Sequence, residues 1–278
     1  MSAQRELAQL RALAERLARE AGAIQRASYE AVQSIASKSQ PNDLVTEVDR
    51  ACEAHLVAAL AKERPHDSVL AEEGGGSERA GATYRWVIDP LDGTTNYAHG
   101  YPRFAVSIGV ERDGEPALGV VYDPLLDELY SGAAGAGAQR NGRPIRVSRE
   151  SDLRRALLST GFAYDKAISD DDNTREFRAF LKQAREVRRD GSAALDLCYV
   201  ACGRFDGYWE YKLSPWDVAA GALIVTEAGG RVTDTLGGDA HRSGRRVLAS
   251  NGAIHAAMLE LLARTRVQAR LANRGGAE

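Results

Sequence analysis

Leu7, Leu10, Leu13, Leu17, Ala21 and Ile24 recur every three or four residues among charged neighbours. That is the period of an amphipathic helix, so the chain opens with one covering helix. A second helix begins near Thr46, where Thr46 and Asp49 have the Thr-x-x-Asp separation of a helix start. It carries Cys52, Leu56 and Leu60 on one stripe until Pro65. Ser39 to Asn42 reads as the turn between the two. From residue 69 the texture changes to short apolar runs at Val69–Ala71, Trp86–Ile88, Phe104–Val110, Ala117–Tyr122 and Ala156–Ser159, which predict strands. Asn141-Gly142 marks a turn, and Gly132–Ala138 before it reads as a tight hairpin.

The polar stretch Ser169–Glu176, with Asp170, Asp171 and Asp172 at its centre, reads as a solvated loop and as the boundary between two halves. Beyond it the pattern predicts a helix from about Ser192 to Cys202 and a strand at Phe205–Trp209. A helix from Trp216 to Ala228, stopped by Gly229-Gly230, and a last strand near Val247–Ala249 follow. Helices and strands alternate in blocks without a strict βαβ repeat, which predicts a layered α+β fold rather than a Rossmann sheet. Neither the dinucleotide motif G-x-G-x-x-G nor the P-loop motif G-x-x-x-x-G-K-[ST] occurs, so no nucleotide loop is expected.

Composition narrows this further. With 278 residues, 44% of them hydrophobic, the chain can bury a large core, which excludes a disordered polyelectrolyte. Its 36 basic and 39 acidic side chains leave a net charge of −3, so nothing advertises nucleic acid, and no apolar run is long enough to span a bilayer. The residues from Met1 onward mix Arg and Glu with Leu and Ala and lack the apolar core of a secretory signal. Three scattered cysteines, Cys52, Cys198 and Cys202, fit a reducing compartment. A cytoplasmic location is therefore expected. Cys198 and Cys202 lie one helical turn apart, but no further Cys or His completes a zinc shell, so they read as core residues.

The densest chemical signal is Trp86-Val-Ile-Asp89-Pro-Leu-Asp92-Gly-Thr94-Thr95-Asn96. An apolar strand delivers Asp89 at its end. On a straight strand Asp89 and Asp92 would face opposite ways. Pro90 and Gly93 require the strand to break there, which lets both carboxylates and the Leu91 carbonyl converge. Thr94 and Thr95 then open a helix whose free N–H groups suit an anion. Hard oxygen donors of this kind suit Mg²⁺. The competing reading is an Asx-turn with a helix cap. The D-x-D-x-T nucleophile of haloacid dehalogenases is not matched, because two residues separate these aspartates.

Glu72-Glu73 stands at a second strand end, before Gly74-Gly75-Gly76, and Asp217 opens a helix after Trp216, where capping is the simpler role. His55, His66, His99, His241 and His255 are scattered, and none falls in a G-x-S-x-G or H-E-x-x-H context. Trp86, Trp209 and Trp216 read as core or interface aromatics.

Five segments, Asp43–Asp49, Ala71-Glu72-Glu73, Asp89–Asn96, Gly191-Ser192-Ala193 and Trp216–Gly221, resemble the ordered signatures of the inositol monophosphatase family, and the resemblance covers nearly the whole chain. It implies an α+β fold, a layered α-β-α-β-α sandwich of the sugar-phosphatase type. One unit over 1–278 is expected, with a metal-binding half (1–168) and a half carrying the substrate loop and Trp-Asp motif (169–278). The implied activity is Mg²⁺-dependent and lithium-sensitive hydrolysis of a phosphate monoester, foremost myo-inositol 1-phosphate, by a homodimer.

By the same resemblance Glu72, Asp89 and the Leu91 carbonyl hold a first ion. Asp89, Asp92 and Asp217 hold a second, and Glu72 reaches a weaker third through water. Thr94 and Asp49, with Glu72, form the catalytic set that activates water. Substrate contacts fall to Asp92, Gly93, Thr94, Gly191, Ser192, Ala193, Glu210 and Asp217. Mn²⁺ would substitute, and Li⁺ and Ca²⁺ would inhibit. Arg188 and Arg189 stand ready for phosphate, a dimer partner or solvent.

The cations have a plain physical task, because a phosphate monoester repels hydroxide until its charge is neutralised. Fructose 1,6-bisphosphate, histidinol phosphate and adenosine 3′,5′-bisphosphate are alternative substrates, although relatives acting on the last carry Lys where this chain has Thr95. A binding or regulatory protein on the same fold is the alternative of another class. The presence of Glu72, Asp89, Asp92, Thr94 and Asp217 argues for catalysis.

Overall fold

The structure is a computed structural model that describes residues 3–31, 35–38 and 43–275. The expected turn at Ser39–Asn42 lies outside the described residues. Helix α1 (Ala3–Ser28) buries Leu10, Ala14, Leu17, Ala18 and Ala21 along one stripe, as its period predicts. Strand β1 (Ile35–Ser37) pairs antiparallel with β2 (Leu44–Thr46), and Thr46 caps helix α2 (Glu47–Glu63).

A seven-stranded sheet follows in chain order. It comprises β3 (Ser68–Ala71), β4 (Tyr84–Asp92) and, after the short helix α3 (Thr94–Ala98), β5 (Ala105–Arg112), β6 (Glu115–Asp123), β7 (Glu128–Ala133), β8 (Gly137–Arg140) and β9 (Arg143–Pro144). β3 runs parallel to β4, and the remaining pairs are antiparallel. The chain then builds β10 (Leu157–Thr160), α4 (Thr174–Leu181), β11 (Glu186–Arg188), α5 (Ala193–Ala201), β12 (Gly207–Tyr211), α6 (Pro215–Glu227), β13 (Arg231–Thr233), β14 (Arg246–Ser250) and α7 (His255–Gly275). Its strands form a five-stranded sheet in the order β11-β10-β12-β14-β13.

Three buried clusters hold five layers together, the middle one reaching both sheets. α1 and α2 cover one face of the large sheet, α5 and α6 fill the space between the sheets, and α4 and α7 cover the outer face of the small sheet. The expected α-β-α-β-α sandwich is therefore observed. Because the central strands are covered on both faces, Ala105–Val110 is buried without alternation, which is why its sequence reads as an unbroken apolar run.

Several boundaries differ from expectation. The changeover between sheets falls at 145–156, upstream of the polar stretch near 168, because β10 already pairs with β11 and β12. That polar stretch is only partly a loop. Asp170 and Asp171 are exposed, but α4 starts at Thr174 and Glu176 is buried, where it accepts from the Thr265 hydroxyl at 3.1 Å. The short strands β11 and β13 have too few residues for a period, and α7 buries Met258, Leu261 and Leu262 at helical steps, with Ile254 buried just before it.

α7 begins at His255, whose ring lies buried between Thr233 Oγ1 (3.0 Å from Nε2) and Ser250 Oγ (2.9 Å from Nδ1). Burial, aided by the Arg231 charge, pushes its pKa down to about 4 from the ordinary 6.5. A folded-state value below the unfolded one means that the stability is complete above pH 6.5 and is lost as pH falls towards 4. The expected loss is up to about 3 kcal/mol. His255→Gln should therefore show a flatter fall of Tm between pH 6.5 and 4 than the wild type, and an unchanged slope would refute this assignment.

Candidate active site

β4 pairs with β5 in regular register as far as Asp89–Ser107 and resumes at Asp92–Ala105, so three residue steps on β4 match two on β5. The extra residue is a β-bulge. The strand therefore does not end at Asp89, as the sequence led us to expect. It bulges at Pro90-Leu91 and continues to Asp92, and the odd residue brings both aspartates to one side. Leu91 N–H donates to Asp89 Oδ1 at 3.0 Å, and Gln25 Nε2 donates to the Pro90 carbonyl at 2.8 Å. Gly93 then turns the chain into α3 with φ +96, and a Cβ there would stand 2.8 Å from the Arg103 carbonyl oxygen, so only glycine fits.

Parallel pairing of β3 with β4 places Glu72 beside Asp89, with the Glu72 N–H on the Ile88 carbonyl at 3.3 Å. The loop after it is held by Glu53, a buried acid of α2 whose carboxylate accepts from Glu73 N (2.7 Å) and Gly75 N (2.6 Å). Lys38 Nζ donates to Glu72 at 2.8 Å and also to Glu73.

α6 brings the third acid. It starts at Pro215, so Asp217 is its third residue rather than its first, and one carboxylate oxygen accepts the Ser214 N–H at 2.7 Å. Capping and site membership coexist, because oxygens of Asp89, Asp92 and Asp217 lie within 4.8 Å of one another. Asp92 is held from the second half of the chain by the Ser192 hydroxyl and by Ala194 N–H at 2.8 Å, at the N-terminus of α5.

Burial raises the pKa of Asp89, and the neighbouring charges of Glu72, Asp92 and Asp217 push it the same way. Burial also raises Asp217 and Asp92. In Asp92 the donors from Ser192 and Ala194 oppose the rise. Glu72 is raised by burial against the pull of Lys38. Four neighbouring carboxylates, of which Asp89 and Asp92 are buried, repel one another, and a cation among them lowers the free energy of the group.

Behind the acids, Thr94 Oγ1 lies 2.8 Å from Asp49 Oδ1 and 3.1 Å from the Leu91 carbonyl. Asp49 is aimed by the α2 capping box, in which Thr46 N–H and O–H both donate to Oδ2, at 2.8 and 2.6 Å. The acids open into a cavity of about 270 Å³ lined by Glu72, Asp92, Gly93, Gly191, Ala193, Glu210 and Asp217. Arg189, Tyr164, Lys38 and Trp216 also line it. The Glu210 carboxyl accepts the Tyr208 hydroxyl at 2.6 Å, and burial pushes its pKa up to about 7.

A sequence model of the inositol monophosphatase family matches residues 6–271. The chain belongs to the inositol monophosphatase family. It is 47% identical over 234 residues to the inositol-1-monophosphatase of Synechocystis sp., covering 84% of this chain and 82% of that one. It is 46% identical over 252 residues to the Nus factor SuhB of Pseudomonas aeruginosa, covering 89% and 93%. The solved inositol monophosphatase of Anabaena (Nostoc) sp. PCC 7120 superposes with a TM-score of 0.84 at 46% identity, over 93% of this chain and 97% of that one. The chain is thus a phosphatase enzyme of a metal-dependent family.

Relative to the residues expected from family signatures, the fold brings Asp89, Asp92 and Asp217 together, sets Glu72 beside Asp89 and places Thr94 and Asp49 behind them. Ser192 is fully buried, and its hydroxyl is committed to Asp92 rather than to the cavity. His99 is exposed and does not line the cavity. Sequence reasoning missed Glu53, Gln25 and Lys38. Glu53 was detectable, because it sits three residues before Leu56 on the apolar stripe of α2.

Proposed function

We propose that the enzyme hydrolyses myo-inositol 1-phosphate to myo-inositol and phosphate with two or three Mg²⁺ ions. The observation that carries this reading is the convergence of Asp89, Asp92 and Asp217 beside Glu72, with the Thr94–Asp49 pair immediately behind. The donor set is all hard oxygen, which fits Mg²⁺ and, less selectively, Mn²⁺. Glu72, Asp89 and the Leu91 carbonyl would hold one ion, and Asp89, Asp92 and Asp217 another. Bound ions supply charge neutralisation for the phosphate, a lower pKa for water and stabilisation of the leaving alkoxide.

The protein's own groups do the rest. Thr94 has one hydroxyl proton, and Asp49 Oδ1 is the stronger acceptor within reach. The Thr94 oxygen then keeps its lone pairs for a water, and as that water loses a proton to Thr94 the Thr94 proton passes to Asp49. Gly93 and Thr94 at the start of α3 would face the phosphate, and Gly191, Ala193 and Glu210 would face the alcohol. Homodimer assembly, a cytoplasmic location and inhibition by Li⁺ and Ca²⁺ belong to the same reading.

Phosphate release from myo-inositol 1-phosphate, fructose 1,6-bisphosphate, histidinol phosphate and adenosine 3′,5′-bisphosphate, each at fixed Mg²⁺, tests the reading. The inositol ester should give the highest kcat/KM, with turnover lost on chelation and regained with Mg²⁺. A higher value for any other ester would reassign the substrate. The name of the Pseudomonas relative favours a second role in binding on the same fold. A turnover-dead variant that still replaces that relative in cells would establish it.

A further inference from the structure

Gly161, immediately after β10, has no side chain, and the Glu210 carboxylate occupies the space where one would project. A Cβ built on Gly161 would overlap the carboxyl carbon and both oxygens of Glu210. The Gly161 backbone lies outside the left-handed region, so conformational freedom does not explain a glycine here. The close approach does.

The backbone at Gly161 cannot back away, so any adjustment falls on the Glu210 side chain. Asn173 is buried, and its Nδ2 donates to the Gly161 carbonyl at 2.7 Å and to Thr160 Oγ1 at 2.8 Å. Thr160 Oγ1 donates to the Trp209 carbonyl at 2.6 Å, and Trp209 Nε1 donates to Asn173 Oδ1 at 2.7 Å. Trp209 stacks on Phe180 with ring centroids 4.1 Å apart. This closed ring of hydrogen bonds fixes the end of β10 against the residue before Glu210. Tyr208, on the other side of Trp209, holds Glu210 Oε2 through its hydroxyl at 2.6 Å.

We propose that Gly161 is a specificity-determining positioning residue. By leaving its side-chain space empty on a clamped backbone, it lets Glu210 lie flat along the cavity wall and present its carboxylate to the hydroxyl groups of a polyol leaving group. The proposal rests on the reading that Glu210 faces the substrate alcohol. A methyl group at 161 moves the carboxylate rather than the backbone. Loss of a hydrogen bond to a charged group then lowers kcat/KM for a hydroxyl-rich ester by roughly tenfold to a hundredfold.

The test compares Gly161→Ala, Glu210→Ala and the double variant on myo-inositol 1-phosphate and on p-nitrophenyl phosphate, whose leaving group has no hydroxyls to read. Gly161→Ala and Glu210→Ala should each lower kcat/KM for the inositol ester at least tenfold more than for the aryl ester, chiefly through KM. The double variant should be no worse than Glu210→Ala. Thermal unfolding gives an independent check. Any fall of Tm in Gly161→Ala should be recovered in the double variant, where the carboxylate is gone. If Glu210→Ala slows both esters alike, the reading of Glu210 fails. If Glu210→Ala discriminates and Gly161→Ala does not, or if Tm stays depressed in the double variant, the positioning role of Gly161 is overturned.

Discussion

Asp89→Asn is expected to reduce phosphate release on the order of 10³-fold or more while raising the Tm of the metal-free protein. Asp89 is buried at the centre of the acid cluster, with Glu72, Asp92 and Asp217 around it, and it is the residue that both proposed ion sites would share. Bound ions supply several kcal/mol of charge stabilisation in the transition state, and each 1.36 kcal/mol is tenfold in rate. The same charge is a liability in the metal-free fold. Its raised pKa means that the metal-free fold is favoured at low pH and loses stability as pH rises through that value. Asn has nearly the same shape and no charge, so the repulsion disappears at neutral pH. A gain of about 1 kcal/mol corresponds to a rise of about 2–4 °C in a chain of this size. Thermal melts in chelator and in Mg²⁺ check both halves of the prediction. The wild type should gain Tm with Mg²⁺, and the variant should gain little. Wild-type turnover, or a full Mg²⁺ shift in the variant, would sink the assignment.

Thr94→Val should lower kcat by about 10²- to 10⁴-fold, the usual range for a lost proton-transfer group, while KM and the Mg²⁺-induced rise in Tm stay close to those of the wild type. Valine keeps the shape and removes the hydroxyl that lies 2.8 Å from Asp49. The acid cluster is untouched, so ion binding and catalysis separate in this variant and fall together in Asp89→Asn. Thr94→Ser, which keeps the hydroxyl, should restore most of the rate. A Thr94→Val enzyme that loses its Mg²⁺ shift would instead make Thr94 a structural prop for the ion site.

Much of this was readable from the chain because its signals are local. The helical period of α1, the capping pair Thr46 and Asp49 and the block Asp89–Asn96 each lie within one element. The site residues were named from motifs, but their geometry was not visible. A break after Asp89 was a natural reading of Pro90, whereas a bulge depends on which residues of β5 stand opposite. The commitment of Ser192 to Asp92 joins residues a hundred positions apart, and no period or spacing encodes it. Gly161 was invisible for the same reason, since the partner that explains it lies far along the chain, whereas Glu53 at least stands out as an acid on the apolar stripe of α2.

The clasp between Asp92 on β4 and the start of α5 bears on how long the folded molecule lasts. The site is complete only when the large sheet, α5 and α6 are docked, because α5 holds Asp92 and α6 supplies Asp217. Ions that bind there favour the docked state over any form in which these elements are apart. Once bound, they hold shut the seam between the two sheets. Divalent ions would then act as a brake on unfolding, lengthening the lifetime of the native enzyme.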